Sequence, residues 1–215
     1  MPVTWEKTDK DFSILVWKST ESIEELFNKA ALSVEEKARW ESFRSETRKR
    51  EYLTVRNALK FFPGHHTLAG IRYDGNGKPL LANGCLSISH SNEFVAVMLA
   101  PSVRIGIDIE TIHPRIEKLS KRFLNRDEKK FLPVKNHLEH LHVIWGAKEV
   151  LFKIHSAGGI DFRQHLHVDP FRFHGSGSLH AHMTAGQRTE TFDIHYEQIG
   201  GQMLTWAADS NHISG

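Results

Sequence analysis

The stretch LEHLHVIWGAKEVLFKI, residues 138–154, carries the strongest helical pattern in the chain. Beyond it the pattern changes. HLHV, FRFHG, SLHAHMT, TFDIHYEQI and QMLTWAA alternate apolar and polar residues, and a period of two reads as half-buried strand. The chain therefore combines a long helix with a series of strands that follow it.

The part before the helix mixes both patterns. FSILVW (12–17) reads as a strand. Ser22 with Glu25, and Ser33 with Glu36, have capping-box spacing at a helix start. Ile23, Leu26, Phe27 and Ala30 make a helical stripe, and Tyr52, Val55, Leu59 and Phe62 make another that PGHH should stop. YDGNGKP (73–79) is a turn segment, and CLSISH (85–90) with EFVAVMLA (93–100) flank Ser91-Asn92 as a β-hairpin. VRIGIDIE gives a third strand, and HPRIEKLSKRF and NRDEKKFL give short helices, the second capped by Asn125 with Glu128 three residues on. The fold class is α+β. Both halves hold helices and strands, so the chain divides near residue 100, into residues 1–100 and 101–215.

Composition narrows the function. A net charge of +2 and a pI of 8.6 do not argue for nucleic acid, and the basic run RSETRKR lacks aromatic interleaving. The single cysteine, Cys85, excludes an intrachain disulfide and makes an inert buried thiol the expectation. MPVTWEKTDKDF has no apolar signal region, and no run approaches 18 apolar residues. The expectation is a cytoplasmic protein with no membrane partner.

IGIDIE (105–110) raises the chemical question. On a strand, Asp108 and Glu110 point one way and Ile107 and Ile109 the other. Two like charges on one face repel, so they either face solvent or share a cation. WGAKEVLFK (145–153) bears on the choice. Trp145, Glu149 and Lys153 line one helical face, with Lys148 and Phe152 in the adjacent row. A surface pair worth about 0.3–0.5 kcal/mol would give the same spacing. Beside IGIDIE, however, the helix adds a third carboxylate and a lysine one turn away. Hard oxygen ligands in that number suit Mg²⁺, which keeps waters and substrate phosphates. Glu128 is a further carboxylate within reach by sequence order.

IGIDIE and, further along the chain, WGAKEVLFK resemble the paired signature of the 4′-phosphopantetheinyl transferases, in particular the larger single-chain, surfactin-synthetase-activating type. GKP (77–79), LSISHS (86–91), FLNRDEKKFL and GGIDF (158–162) resemble further motifs of that family, in the expected order. One departure is Gly146, where the family usually has a small hydroxyl residue or cysteine. The resemblance implies two similar-sized α+β halves arranged as an internal pseudo-dimer, acting as a monomer. It implies transfer of the phosphopantetheine arm of coenzyme A to a serine of an apo acyl or peptidyl carrier protein. Asp108, Glu110, Glu149 and Glu128 are then the expected Mg²⁺ ligands, and Glu149 and Lys153 the catalytic pair. Lys78, Ser89, His90 and Lys148 are expected to contact coenzyme A, with Arg50 and Arg56 added from the basic helix RKREYLTVR. A relative that binds coenzyme A or a carrier without transferring anything is the alternative. The pairs His165/His167 and His180/His182, and HLEHLH (137–142), read as surface histidines, and Trp145 as a packing residue.

Overall fold

The computed structural model describes residues 3–62, 71–75, 77–155 and 159–209. Four layers are stacked. In the first, helices α1 (Ile23–Ala30), α2 (Val34–Ser42) and α3 (Glu46–Leu59) precede a four-stranded sheet. That sheet is built from β1 (Val3–Thr8), β2 (Ser13–Lys18), β5 (Cys85–Ser91) and β6 (Phe94–Ala100), in the order β1-β2-β6-β5. A five-stranded sheet comes next, from β7 (Arg104–Thr111), β8 (Leu166–Val168), β9 (Ser176–Ala185), β10 (Arg188–Ile199) and β11 (Gln202–Asp209), in the order β7-β11-β10-β9-β8. Helices α4 (Arg115–Phe123), α5 (Arg126–Lys130) and α6 (His137–His155) close the stack. A small ribbon of β3 (Arg72–Tyr73) and β4 (Pro79–Leu80) lies between α3 and β5 in the chain, and every described strand pair is antiparallel.

Alternation along the strands builds these layers. Leu15, Trp17, Val95 and Val97 face α3, where Val55, Ala58 and Leu59 meet them. Their neighbours Ile14, Val16, Ala96 and Met98 face the second sheet and pack on Ile105, Ile107, Ile109, Leu204 and Trp206. On the far side of that sheet α6 lies over β7 and β11 and buries Val143, Ile144, Ala147, Val150 and Leu151 in one cluster with Met203, Ala207 and residues of β9 and β10. Ile107 and Ile109 thus serve the seam between sheets, which leaves Gly106, Asp108 and Glu110 facing α6. Gly106 is needed there: a Cβ on it would stand 2.5 Å from the backbone oxygen of Val150.

The strands β5 and β7 are the edge strands nearest each other, and hydroxyls join them instead of a backbone ladder. Ser87 Oγ accepts from Ile107 N at 3.1 Å and Ser91 Oγ accepts from Thr111 N at 3.0 Å. Ser89, between them, donates to Asp108 Oδ1 at 2.8 Å. The alternating serines of LSISHS therefore satisfy an edge that would otherwise leave buried donors unpaired.

Capping boxes form at Ser22/Glu25, Ser33/Glu36 and Asn125/Glu128. The hairpin β5–β6 forms in register, Ser91 opposite Phe94, with Asn92 left-handed at φ 53°. Three details differ from the sequence reading. VTWEKT forms the edge strand β1, and its exposed, mostly polar face hides it from a hydrophobic pattern. FRFHG is not a strand: Phe171 and Phe173 lie along Tyr196 and His140 by ring contacts. NRDEKKFL yields only the short helix Arg126–Lys130. PGHH, Asn76 of the turn segment, and Gly158 of GGIDF lie outside the described residues.

Candidate active site

The acidic strand and the lysine-bearing helix meet as the sequence expects. Lys153 Nζ donates to Ile107 O at 2.7 Å and to Asp108 Oδ1 at 2.9 Å. Asp108 is buried, and its Oδ1 takes both Ser89 and Lys153. Its Oδ2 is buried with no hydrogen-bond partner among the described residues. Glu110 accepts from Ser91 Oγ at 3.4 Å and from the Trp145 side chain. Burial, and then the charge of Asp108, raise its pKa above the ordinary carboxylate value. Glu149 is pushed up to about 7, first by burial, then by Asp108 and more weakly by Glu110, with Lys153 opposing.

Asp108 raises the pKa of both Glu110 and Glu149, and Glu110 adds to the shift on Glu149, so the site is short of positive charge. Among the described residues no three His, Cys, Asp or Glu side chains already converge as a metal-holding group, because Asp108 Oδ1 and Glu110 are turned to local donors. The donor set nevertheless fits a hard divalent cation. Asp108 Oδ2 has an open acceptor in a buried place, and the neighbouring carboxylates gain from any charge that separates them.

Glu128 and Lys148 require correction. Both are fully buried, and their ion pair spans 2.8 Å. Lys148 Nζ also donates to Phe123 O at 2.7 Å and Phe162 O at 2.9 Å. Glu128 accepts from Asn125 N at 2.9 Å and Val168 N at 3.0 Å. Every polar atom of the pair is engaged, so neither a metal nor coenzyme A is within its reach. The pair instead ties α4, β8 and the segment after α6 to the helix that carries Glu149.

Beside this centre, on the opposite side of β5, lies a second polar site. A cavity of ≈150 Å³ is lined by Arg39, Arg48, Tyr52, Arg56, Tyr73 and His90. Arg56 stacks over Tyr52 at 3.6 Å and Arg39 over Tyr73 at 3.9 Å. Arg56 Nε donates to Glu36 at 3.2 Å and Nη1 to the Tyr73 hydroxyl at 3.0 Å. Arg56 Nη2 and the Tyr52 hydroxyl are both buried without partners among the described residues. His90 stands 3.1 Å from Glu51 and 3.2 Å from Arg48, with its pKa lowered chiefly by burial. Unsatisfied donors and arginines around one small cavity are the makings of an anion site.

The remaining expected contacts are displaced. Arg50 donates to the Glu21 carbonyl and does not line this cavity. Arg39 and Arg48 do line it, although the sequence pattern singles out neither. Ser89 is committed to Asp108. Lys78 Nζ donates to Lys153 O at 3.0 Å, at the last turn of α6, while its neighbours Gly77 and Pro79 line the cavity. Trp145 packs on Phe123 and Phe162 but also donates to Glu110, beyond a packing role. His140 and His142 are buried, not surface histidines, with Nδ1 atoms 3.1 Å from Asn136 O and 2.8 Å from Leu138 O. A larger cavity of ≈360 Å³ opens beside Glu110 and Trp145, with Ser91, Thr111, Arg115 and His142 on its wall.

The unusual Gly146 has a local reason. A Cβ there would stand 2.3 Å from Thr205 Oγ1 and 2.9 Å from its Cγ2. Gly146→Ala should cost about 1–3 kcal/mol by overpacking, despite alanine's better helix propensity. Thr205→Ala in the same chain should recover much of that. Urea unfolding of both single variants and the double reads the coupling; strictly additive losses would separate the two residues.

A carboxylate cluster with a lysine across it thus lies next to an arginine-lined cavity. Residues 104–207 match the model of the 4′-phosphopantetheinyl transferase superfamily, and this half of the chain is a domain of that superfamily. The match points to phosphopantetheine transfer as the class of activity. A comparison with curated proteins finds no match. Among the described residues no helix is long and apolar enough to cross a membrane.

Proposed function

We propose that this protein transfers the 4′-phosphopantetheine arm of coenzyme A to a serine of an apo acyl or peptidyl carrier protein. The observation that carries the reading is the cluster of Asp108, Glu110 and Glu149 around Lys153, with Asp108 Oδ2 buried and unpartnered among the described residues. The carrier serine Oγ attacks the β-phosphorus, the one that bears pantetheine. A new O–P bond forms as the bond to the bridging oxygen breaks, and 3′,5′-ADP leaves. The serine proton passes to Glu149, whose pKa near 7 suits a base at neutral pH.

Asp108 Oδ2 and Glu110 would hold Mg²⁺, with Glu149 beside them. The cation supplies charge neutralisation at the pyrophosphate. Lys153 fixes the Asp108 carboxylate and contributes positive charge to the leaving phosphate. Arg48, Arg56 and His90 receive the 3′-phosphate, and Tyr52 and Tyr73 offer faces to the adenine. Residues 1–100 supply this nucleotide cavity and residues 101–215 the acidic centre, as the two halves of an internal pseudo-dimer in a cytoplasmic monomer.

With label in the pantetheine arm of coenzyme A, label should move onto the carrier; with label in the adenine, it should not. Binding of coenzyme A without movement of either label would favour the non-catalytic relative. Arg48→Ala and His90→Ala should weaken coenzyme A about ten- to a hundredfold more than dephospho-coenzyme A, the size of a lost charge-assisted hydrogen bond. Equal weakening of both ligands in calorimetry would take the 3′-phosphate out of this cavity.

A further inference from the structure

Thr205 is buried, 1% exposed, and its hydroxyl has no hydrogen-bond partner among the described residues. Such a group costs free energy in the folded chain, so its position needs a reason. It stands directly opposite Asp108 in the β7–β11 register, on the same face of the sheet. Asp108 Oδ2 is another buried atom left without a partner there. The hydroxyl also lies against Gly146, where a Cβ would come within 2.3 Å of it. Glu149 lies three residues beyond Gly146 on α6 and leans back over that turn, as helical side chains do. Thr205 therefore sits across the ladder from the strand carboxylate and against the helix turn that leads to Glu149, in space that any larger residue at position 146 would take.

We propose that Thr205 is a positioning residue of the acidic centre: its hydroxyl donates to the Asp108 carboxylate when that group turns toward a divalent cation. Each carboxylate oxygen has two lone pairs, so Oδ2 can accept the hydroxyl and still face the cation. An orphaned donor in the cation-free protein is then the cost of a donor ready for the bound state. The inference rests on the proposed metal role of Asp108.

Thr205→Val keeps the shape and removes the hydroxyl; Thr205→Ser keeps the hydroxyl. Mn²⁺ is the probe, and the loss of the free-ion signal in electron paramagnetic resonance reports binding without any turnover. Thr205→Val should be as stable as the wild type or more stable in thermal unfolding without metal, because it removes an unsatisfied polar atom. It should bind Mn²⁺ about tenfold more weakly, and Thr205→Ser should restore the affinity. Wild-type affinity in Thr205→Val overturns this inference and leaves the metal reading standing. Thr205→Val that is less stable without metal and unchanged in affinity also overturns it, by giving the hydroxyl a structural role. A wild-type protein that binds no Mn²⁺ overturns both.

Discussion

Glu149→Gln slows single-turnover transfer to a carrier by roughly 10²–10⁴-fold, the contribution of a positioned general base, while coenzyme A affinity changes far less. Glutamine keeps the size and hydrogen-bonding capacity of the side chain and loses only the basic function. The proposed base is tuned by its surroundings: burial, Asp108 and Glu110 raise the Glu149 pKa to about 7. That shift also sets the sign of a stability effect. The folded protein holds a proton on Glu149 that the unfolded chain releases near its ordinary value of 4.5. The contribution of Glu149 to the stability of the metal-free protein therefore falls as pH rises from about 4.5 through 7, and Glu149→Gln removes that contribution. A divalent cation opposes it by favouring the ionised form. Lys153→Met should slow the same step, and the double variant should lose less than the product of the singles, since both act on one transition state. Unchanged rates in both single variants would take the two residues out of the chemical step.

Lys148→Met destabilises the fold by about 3–5 kcal/mol, the usual cost of stranding one member of a buried ion pair. The stranded group is Glu128, which no solvent reaches. Burial lowers the Lys148 pKa and Glu128 raises it again, so the ammonium depends on this partner. Lys148→Met with Glu128→Leu should recover part of the loss, because the unpaired charge goes. It should not recover all of it: Asn125 N and Val168 N would lose their acceptor. Urea unfolding measures both variants. A loss below about 1 kcal/mol in Lys148→Met would be the behaviour of a solvent-facing residue and would reopen a ligand-binding role for it.

How far the sequence could be read depended on range. Capping boxes, the β5–β6 hairpin and the α6 helix are local, and their residues announce them. The faces that Asp108 and Lys153 present were legible because strand alternation and helical spacing each fix a face, but their direct ion pair was not. The roles of Lys148 and Glu128 were not. Helical spacing puts Lys148 in the row beside the Trp145–Glu149–Lys153 face, but only the approach of Phe123 O, Phe162 O and Glu128 shows that this row is buried. Ser89 of LSISHS looks like a nucleotide contact until β5 and β7 are seen to meet at their edges. Arg39 and Arg48 lie in polar helical stretches whose pattern does not separate a solvated face from a cavity wall. Thr205 carried no signal at all, since its meaning depends on Asp108 opposite and Gly146 above.

The most direct measurement is the intact mass of several apo acyl and peptidyl carrier proteins after incubation with this protein, coenzyme A and Mg²⁺. The account predicts a gain of one phosphopantetheine on at least one carrier, with one 3′,5′-ADP released per carrier modified, and no gain when Asp108→Ala replaces the wild type. An unchanged mass on every carrier, or the same gain with Asp108→Ala, would contradict it.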